Sequence, residues 1–226
     1  MNPETICFIP CRSASKGLER KNFRPFCGSD LTRRAITLAL EMGLVVVAAP
    51  DDETIAEQLR REYDIHVFLR DPDLADGDHQ LESWRLAHEY METHYKMQFT
   101  HGVMLEPSSP CRTVQDVEQI IDWGRKRAAG GVSVNRKLHP RKLRIFNDGG
   151  RVINWVSFPC AHSFCQFNGI AYAATRDVIM NESLMDDIVG VIIDHPAVNI
   201  DDKNDFELAE AWCWHHERIK ASQGSV

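Results

Sequence analysis

Short apolar runs alternate with segments of helical spacing along the N-terminal part of the chain, and this alternation restricts the fold more than any other feature. The first run, 6–9, ends at Pro10, because proline cannot donate to a sheet ladder. A continuous run at 44–48 is typical of a buried parallel strand, and a third short strand is expected at 66–69. Amphipathic helical patterns separate the three runs. Repeats of this kind predict an α/β fold with a doubly wound, mostly parallel sheet.

Capping residues predict where the helices begin and end. Thr32 is the expected N-cap of the first helix and Gly43 its stop. Asp52 lies in an acidic stretch, 51–53, which suits the N-terminus of the second helix. Thr113 and Asp116 predict a capping box for a helix that runs to 127. Further elements are expected as strands at 102–105 and 131–134, a hairpin turn at 148–150, and helices at 81–95 and 206–219.

The loop that follows the first strand collects small and cationic residues. A Ser-Ala-Ser stretch precedes Gly17, which permits backbone angles that other residues resist. A tight loop of this kind aims several backbone N–H groups at one anion. Four cations surround it, and they favour a polyphosphate: Arg12, Lys16, Arg20 and Lys21. The loop is not a Walker A sequence. The alternative is a solvated surface loop, but its position after a strand favours a ligand loop.

Composition narrows the class of protein further. The net charge of −7 argues against nucleic acid as a partner, and no apolar run approaches a membrane span. The N-terminus lacks the pattern of a signal peptide. Seven irregularly spaced cysteines indicate reduced thiols and a cytoplasmic location. Cys160, His162 and Cys165 lack a second pair at zinc spacing, so no zinc site is expected. At 226 residues the simplest organisation is one domain, 1–226.

The stretch from Arg12 to Asn22, which reads Arg-Ser-x-Ser-Lys-Gly-x-x-Arg-Lys-Asn, resembles the nucleotide-binding signature of the acylneuraminate cytidylyltransferases (CMP-sialic acid synthetases). Related enzymes act on legionaminic acid, pseudaminic acid and KDO. The resemblance continues through 105–113, 164–172 and 198–205. It implies a Rossmann-like nucleotidyltransferase fold. It also implies an enzyme that uses CTP to activate a nonulosonic sugar acid, giving the CMP-sugar and pyrophosphate with Mg²⁺ as cofactor.

The resemblance implies a set of nucleotide contacts in the loop. They are Arg12, Ser13, Ser15, Lys16, Gly17, Lys21 and Asn22. Arg70 is expected near the cytosine, although the family has Arg-Pro where this chain has Arg-Asp-Pro. The alternative for Arg70 is a surface arginine that pairs with Asp71 or Asp73. Catalysis is expected to come from alignment and charge neutralisation, with Arg12, Lys16, Lys21 and Asp201 in the catalytic set.

The sugar side departs from the family pattern in two places. The implied substrate contacts are Glu106, Ser108, Lys142, Gln166 and Asn168. The family usually has glutamine where this chain has Glu106, and arginine where it has Gln166. A carboxylate here repels the carboxylate of a sugar acid unless it is protonated or paired, so an amine or hydroxyl of a different sugar is an alternative ligand. The basic segment 136–144, which contains Lys142, is either an anion-binding arm or a solvated one.

The last motif, 198–205, resembles an Asp-Ile-Asp pattern that holds Mg²⁺. Asn199 takes the place of the first aspartate, and Asp201 is retained. Alternation along a strand would put both side chains on one face, where oxygen ligands suit Mg²⁺. The alternative for Asp201 and Asp202 is N-capping of the following helix. Asp202 is able to cap while Asp201 binds metal.

An insertion at about 136–167 is implied to reach a second subunit. Trp155 and Phe158 would supply apolar contacts there, so a homodimer is expected. A second hypothesis is a homologue that binds nucleotide or sugar but has lost catalysis, because Glu106, Gln166 and Asn199 all depart from the pattern. A narrower alternative keeps the enzyme and changes the sugar or the base.

Overall fold

The structure is a computed structural model that describes residues 5–15, 17–75, 79–126, 130–136, 145–146, 152–153, 165–182, 184, 188–193, 195 and 197–223. Its strands are β1 (Thr5–Pro10), β2 (Pro25–Phe26), β3 (Ser29–Asp30), β4 (Val45–Ala49), β5 (His66–Val67), β6 (His101–Met104), β7 (Gly130–Arg136), β8 (Ile145–Phe146), β9 (Val152–Ile153), β10 (Cys165–Thr175) and β11 (Ile188–Ile192). Its helices are α1 (Leu31–Glu41), α2 (Glu53–Glu62), α3 (Gln80–Tyr95), α4 (Val114–Lys126), α5 (Arg176–Met180) and α6 (Lys203–Gln223). Short 3-10 turns lie at Lys21–Phe23 and Pro72–Ala75.

The central sheet has seven strands in the order β11-β7-β10-β6-β1-β4-β5. β1 pairs in parallel with β4 on one side and β6 on the other, and β10 runs antiparallel to both of its neighbours. The strand order therefore reverses at β1, which is the place where open α/β sheets bind ligands. The mostly parallel α/β architecture expected from the alternating pattern is confirmed.

Helices cover both faces of the sheet. One apolar core joins α1, α2 and α4 to the sheet, with Ile36, Leu59 and Ile120 fully buried. The other core joins α3 and α5 to the opposite face, where Trp84 and Met91 are buried. Because helices pack on both faces, the sheet is doubly wound. Its strands are buried on both faces, which is why they read as continuous apolar runs in the sequence.

Helix ends match the sequence-based expectations in two cases and correct them in one. The N-cap of α1 is Asp30 rather than Thr32: the carboxylate of Asp30 accepts the backbone N–H of Arg33 at 2.8 Å, whereas Thr32 is buried in the first turn. Thr113 and Asp116 do form the capping box, since the backbone N–H of Thr113 donates to Asp116 at 2.7 Å and that of Asp116 donates back at 3.2 Å. Gly43, with φ +67°, follows the end of α1 as expected.

The C-terminal part departs more from the sequence-based expectations. Residues 197–201 form no strand, so the expectation that Asn199 and Asp201 share a strand face is wrong. This segment is instead tied to the turn after β6, where the backbone N–H of Ile200 donates to the carbonyl of Ser108 at 2.8 Å. Asp202 does cap α6, accepting from the backbone N–H groups of Asn204 and Asp205 at 2.7 and 2.9 Å. The sequence did not predict α5 or β11.

A third apolar cluster anchors α6 beside the carboxyl edge of the sheet. Phe206 and Cys213 of α6 pack with Phe26 of the β2–β3 hairpin, and Ile200 is fully buried among them. This packing holds segment 197–202 across the end of the sheet. The expected hairpin near 148–150 is present as β8 paired with β9, although its turn lies outside the described residues. Within the described part of the chain, no helix is both long and apolar enough to cross a bilayer.

Candidate active site

A polar cavity of about 240 Å³ opens at the carboxyl ends of β1, β5 and β6, where the strand order reverses. Two groups of side chains line it. The first, called here the cationic wall, consists of Arg12, Lys21, Asn22 and Arg70. The second, called the acceptor wall, consists of Glu106, Ser108, Asn199 and Asp201. Because parallel strands deliver their following loops to one edge, residues far apart in sequence meet here.

The loop after β1 is held by hydrogen bonds at both of its ends. The backbone N–H of Ser13 donates to a carboxylate oxygen of Asp51, which follows β4, at 2.6 Å. The buried side chain of Asn22 donates to the carbonyl of Arg12 at 3.1 Å. Arg20 adopts the left-handed region, with φ +50°, just before the 3-10 turn. These contacts place Arg12 and Lys21 on the same side of the cavity.

Lys21 joins the loop to the C-terminal segment. Its ammonium donates to the carbonyl of Ile200 and lies 3.6 Å from a carboxylate oxygen of Asp201. Burial lowers the pKa of Lys21, and the neighbouring Asp201 opposes that shift. Gly17 lets the loop after β1 pass close to segment 197–202, because a Cβ at this position would collide with the carbonyl oxygen of Asp201. The glycine is therefore required by the close passage of two chain segments.

Arg70 is a buried cation at the floor of the cavity. Its side chain is 3% exposed, and its Nε donates to the carbonyl of Ala49 at 2.8 Å. Its Nη2 has no hydrogen-bond partner among the described residues. Burial lowers its pKa. The alternative of a surface arginine paired with Asp71 or Asp73 is therefore wrong, because Arg70 points inward.

The acceptor wall centres on Glu106, a half-buried carboxylate. Gln80, in the first turn of α3, donates from its amide to Glu106 Oε1 at 2.9 Å. The buried guanidinium of Arg112 donates to the backbone carbonyl of Glu106. Burial raises the pKa of Glu106, whereas Gln80, Arg112 and Lys21 oppose that rise. Gln80 was missed in the sequence, where a glutamine at the start of a helix carries no signal of a site.

Behind this wall, Ser109 connects the turn after β6 to β10 and to segment 197–202. Its hydroxyl donates to the carbonyl of Asn168 at 2.9 Å and lies 3.4 Å from Asn199 Oδ1. Asn168 is buried, and its side chain accepts the backbone N–H of Ile170 at 3.3 Å. Gly169, with φ +68°, completes the junction. The turn, the strand and the segment are thus hydrogen-bonded together at one point.

The predicted site residues fall into three groups. Eight line the cavity: Arg12, Lys21, Asn22, Arg70, Glu106, Ser108, Asn199 and Asp201. Asn168 lies behind them, while Ser13 and Ser15 line a neighbouring cavity beside the start of α2. Lys16 and Lys142 lie outside the described residues, and for Gln166 only the strand backbone is described. The roles of all these residues stay predictions.

The oxygen donors of the acceptor wall suit a hard divalent cation. The described residues contain no group of three or more His, Cys, Asp or Glu side chains placed to hold a metal ion. Mg²⁺ does not need such a group, because it binds through one or two carboxylates together with phosphate oxygens and water. Asp201, whose side chain is 80% exposed, and Asn199 line the cavity with Glu106, and this set fits an ion that arrives with a nucleotide.

Comparisons with known proteins agree with the fold and identify the family. A solved structure of CMP:2-keto-3-deoxy-manno-octonic acid synthetase complexed with CTP superimposes with a TM-score of 0.68 at 17% identity, covering 94% of this chain and 99% of that one. The fold is therefore that of a nucleotidyltransferase-like α/β protein. The family model described as cytidylyltransferase matches residues 6–120, so the chain belongs to the cytidylyltransferase family. The family predicted from the sequence motifs is confirmed.

Several curated proteins are similar to this chain. N-acylneuraminate cytidylyltransferase of Streptococcus agalactiae is 25% identical over 156 residues, which is 67% of this chain and 37% of that protein. Post-translational flagellin modification protein B of Campylobacter coli is 25% identical over 221 residues, which is 92% of this chain and 94% of that protein. Pseudaminic acid cytidylyltransferase of Campylobacter jejuni is 37% identical over 75 residues, 32% of each chain. The chain spans little more than a third of the length of the streptococcal relative.

Proposed function

We propose that the protein is a cytidylyltransferase that activates a nonulosonic sugar acid with CTP, forming the CMP-sugar and pyrophosphate. The observation that carries this proposal is the cationic wall, which gathers Arg12, Lys21 and Arg70 at the carboxyl ends of the strands. Such a wall suits a triphosphate, because charge-assisted hydrogen bonds to phosphate are the strong ones. The names of the streptococcal and Campylobacter jejuni relatives support a nonulosonic acid as the second substrate.

The loop after β1 is proposed to bind the phosphates, and Arg70 the base. The phosphate contacts are Arg12, Ser13, Ser15, Lys16, Gly17, Lys21 and Asn22. In the reaction, the anomeric hydroxyl of the sugar attacks the α-phosphorus of CTP. One P–O bond forms, the P–O bond to pyrophosphate breaks, and the proton of the hydroxyl passes to water. The positive charges of Arg12, Lys16 and Lys21 stabilise the charge that develops on the phosphates. Alignment of the two substrates in one cavity supplies the rest.

The sugar acid is proposed to lie against the acceptor wall. Ser108 and Glu106 face the cavity there, and Asn168 supports them through Ser109. Lys142 and Gln166 are proposed as further substrate contacts. Hydroxyl and amide groups of the sugar have complementary donors and acceptors on this wall.

Mg²⁺ is proposed as the cofactor, with Asp201 and Asn199 as its ligands. When bound, the ion supplies charge neutralisation on the triphosphate. Both residues line the cavity, and a carboxylate oxygen of Asp201 lies 3.6 Å from the ammonium of Lys21.

A homodimer is also proposed, with insertion 136–167 as the contact between subunits. Strands β8 and β9 lie within this insertion and pair as a two-stranded sheet of their own. Light scattering coupled to size exclusion measures the mass directly. Deletion of 137–164 should yield a monomer if the insertion makes the contact, and an unchanged dimer would contradict it.

Pyrophosphate release across a panel of nucleoside triphosphates and sugar acids tests the proposed function. We expect release with CTP and a nonulosonic acid, and none with the pair Lys16→Ala and Lys21→Ala combined. Lys203→Ala is the matched control, because the exposed side chain of this lysine pairs with Glu207 on the surface of α6. Calorimetry with CTP separates a catalytic protein from one that binds without turnover. If no pair of substrates releases pyrophosphate, the catalytic proposal fails.

A further inference from the structure

We propose that Asp51 is a positioning residue for the nucleotide, because its carboxylate holds the loop after β1 at a fixed distance from Arg70. The inference rests on the proposed function, in which that loop binds the phosphates of CTP and Arg70 binds the base. Asp51 itself does not line the cavity, so it acts through residues that do. It extends the site to the end of β4, from which no described residue lines the cavity.

The acidic stretch 51–53 contains two neighbouring aspartates with different partners. Asp52 caps α2, since its carboxylate accepts the backbone N–H of Ile55 at 3.0 Å. Asp51 instead accepts the backbone N–H of Ser13, in the loop after β1, at 2.6 Å. Helix capping therefore accounts for one aspartate, and a contact between two loops accounts for the other.

Backbone carbonyls at the end of β4 bind the same two sides of the site. The carbonyl of Ala49 accepts the backbone N–H of Cys11 at 3.2 Å and the Nε of Arg70 at 2.8 Å. The carbonyl of Pro50 accepts the backbone N–H of Arg70 at 2.8 Å. Segment 49–51 is thus hydrogen-bonded to the start of the loop after β1 on one side and to Arg70 on the other.

The order of the strands explains why the end of β4 is suited to this role. β4 lies between β1, which precedes the phosphate loop, and β5, which precedes Arg70. Its backbone reaches the neighbouring segment as far as Cys11. Ser13 lies two residues further on, and there the side chain of Asp51 takes over from the backbone. The carboxylate therefore continues the connection past the end of the sheet.

The charge of Asp51 also favours positioning over direct contact with the nucleotide. A carboxylate repels phosphate groups, so a direct contact with the triphosphate would weaken binding. Within the protein the same charge strengthens the hydrogen bond from Ser13, because bonds to ionised acceptors are the strong ones. Burial lowers the pKa of Arg70, and Asp51 is close enough to oppose that shift. The carboxylate thus interacts with both groups whose spacing it sets.

Calorimetric titration of the protein with CTP tests the proposal without any measurement of turnover. We expect Asp51→Ala to weaken CTP binding about tenfold, a loss of the size expected for a hydrogen bond to a charged group. Asp51→Asn keeps an acceptor oxygen and should bind CTP within about twofold of the wild type. Asp52→Ala is the matched control: it removes the cap of α2, so the melting temperature should fall while CTP affinity is retained.

A double-mutant cycle with Arg70→Met separates positioning from a general loss of stability. If Asp51 holds the loop at the right distance from Arg70, removal of the arginine takes away what the carboxylate positions. Asp51→Ala should then weaken CTP binding less than about threefold in the Arg70→Met background, against about tenfold in the wild-type background. Equal losses in the two backgrounds would overturn the inference, since Asp51 would then affect the loop alone.

The other outcomes are equally decisive. If Asp51→Ala binds CTP as tightly as the wild type, or if Asp51→Asn loses as much affinity as Asp51→Ala, the inference is overturned while the proposed function stands. Tighter binding by both variants would also overturn it, because the carboxylate would then only repel the triphosphate. If the wild type binds no CTP, the proposed function fails and this inference with it. Asp51→Ser, whose hydroxyl is a weaker acceptor, replaces Asp51→Ala if the latter does not fold, and it should lose several-fold in CTP affinity.

Discussion

The two walls of the cavity differ in charge and in how the chain builds them. The cationic wall comes from the loops that follow β1 and β5, although Lys21 also contacts Ile200 and Asp201. The acceptor wall joins Glu106 and Ser108, after β6, to Asn199 and Asp201, before α6. It exists because the backbone N–H of Ile200 bonds to Ser108 and because α6 packs on the β2–β3 hairpin. The cationic wall is therefore carried by loops that continue from strands, whereas the acceptor wall depends on contacts between segments far apart in sequence.

The largest effect is expected where the two walls meet. In Gly17→Ala the new Cβ would collide with the carbonyl oxygen of Asp201, so the loop and segment 197–202 must separate. We expect CTP affinity to fall about 100-fold, because displacements of an ångström cost that much in aligned sites. Gly28→Ala is the control: its φ of +75° strains the turn, but nothing lies within 4 Å of the new Cβ. Equal CTP binding by Gly17→Ala and the wild type would show that the walls are independent.

A change on the cationic wall alone should separate binding from stability. Arg70→Met removes a buried cation whose Nη2 lacks a partner among the described residues. CTP affinity is expected to fall about 10–100-fold, the worth of a charge-assisted hydrogen bond. The melting temperature should stay the same or rise, since burial disfavours this charge. Arg60→Met, at an exposed ion pair on α2, should change neither quantity. A fall in stability with unchanged CTP binding would make Arg70 purely structural.

A change behind the acceptor wall should affect the sugar and spare the nucleotide. Ser109→Ala loses the contacts of its hydroxyl with Asn168 and Asn199. We expect KM for the sugar acid to rise about fivefold, which is the cost of one hydrogen bond of about 1 kcal/mol, while CTP affinity is retained. Ser83→Ala removes a comparable buried bond, from its hydroxyl to Leu74, and should alter stability only. A loss of CTP affinity in Ser109→Ala would show that the acceptor wall also contributes to nucleotide binding.

The smallest effect on the cavity is expected from a substitution of His88, which lies in the core between Trp84 and Phe99. Burial lowers its pKa to about 4, so folding disfavours the protonated form. Stability should therefore rise as pH increases from about 4 to 6.5, the unfolded value, and be unaffected by this residue above that range. His88→Met should remove roughly 2–4 kcal/mol of that pH dependence in denaturant titrations, with CTP binding unchanged at neutral pH. A curve with the same slope in the variant would assign the dependence to other groups.

The sequence predicted the fold well where local patterns carry the information. The strand and helix alternation placed β1, β4, α2 and α3 to within a few residues, because burial on both faces leaves a readable apolar run. The errors fell where two local signals competed. Asp30 and Thr32 are both residue types that favour N-caps near the start of α1, and only the backbone geometry shows that Asp30 accepts the N–H of Arg33.

The site was predictable to the extent that its residues follow strands. Arg12, Lys21, Arg70 and Glu106 could be selected from sequence, since each lies in a loop that follows a strand and belongs to a motif. Gln80 could not, because its role depends on the distance of its amide from Glu106, a residue far away in the chain. The alternation of Asn199 and Asp201 predicted a strand, but the described residues 197–201 form none.

By itself, the sequence determined the parallel α/β architecture, the cationic loop and the cytidylyltransferase family, because period-2 and period-3.6 patterns and contiguous motifs are properties of neighbouring residues. Only the tertiary structure decided which oxygen atoms face one another across the cavity. The positions of these oxygen atoms depend on the packing of α6 against the β2–β3 hairpin and on one hydrogen bond between Ile200 and Ser108. No local sequence pattern specifies the partners in these contacts.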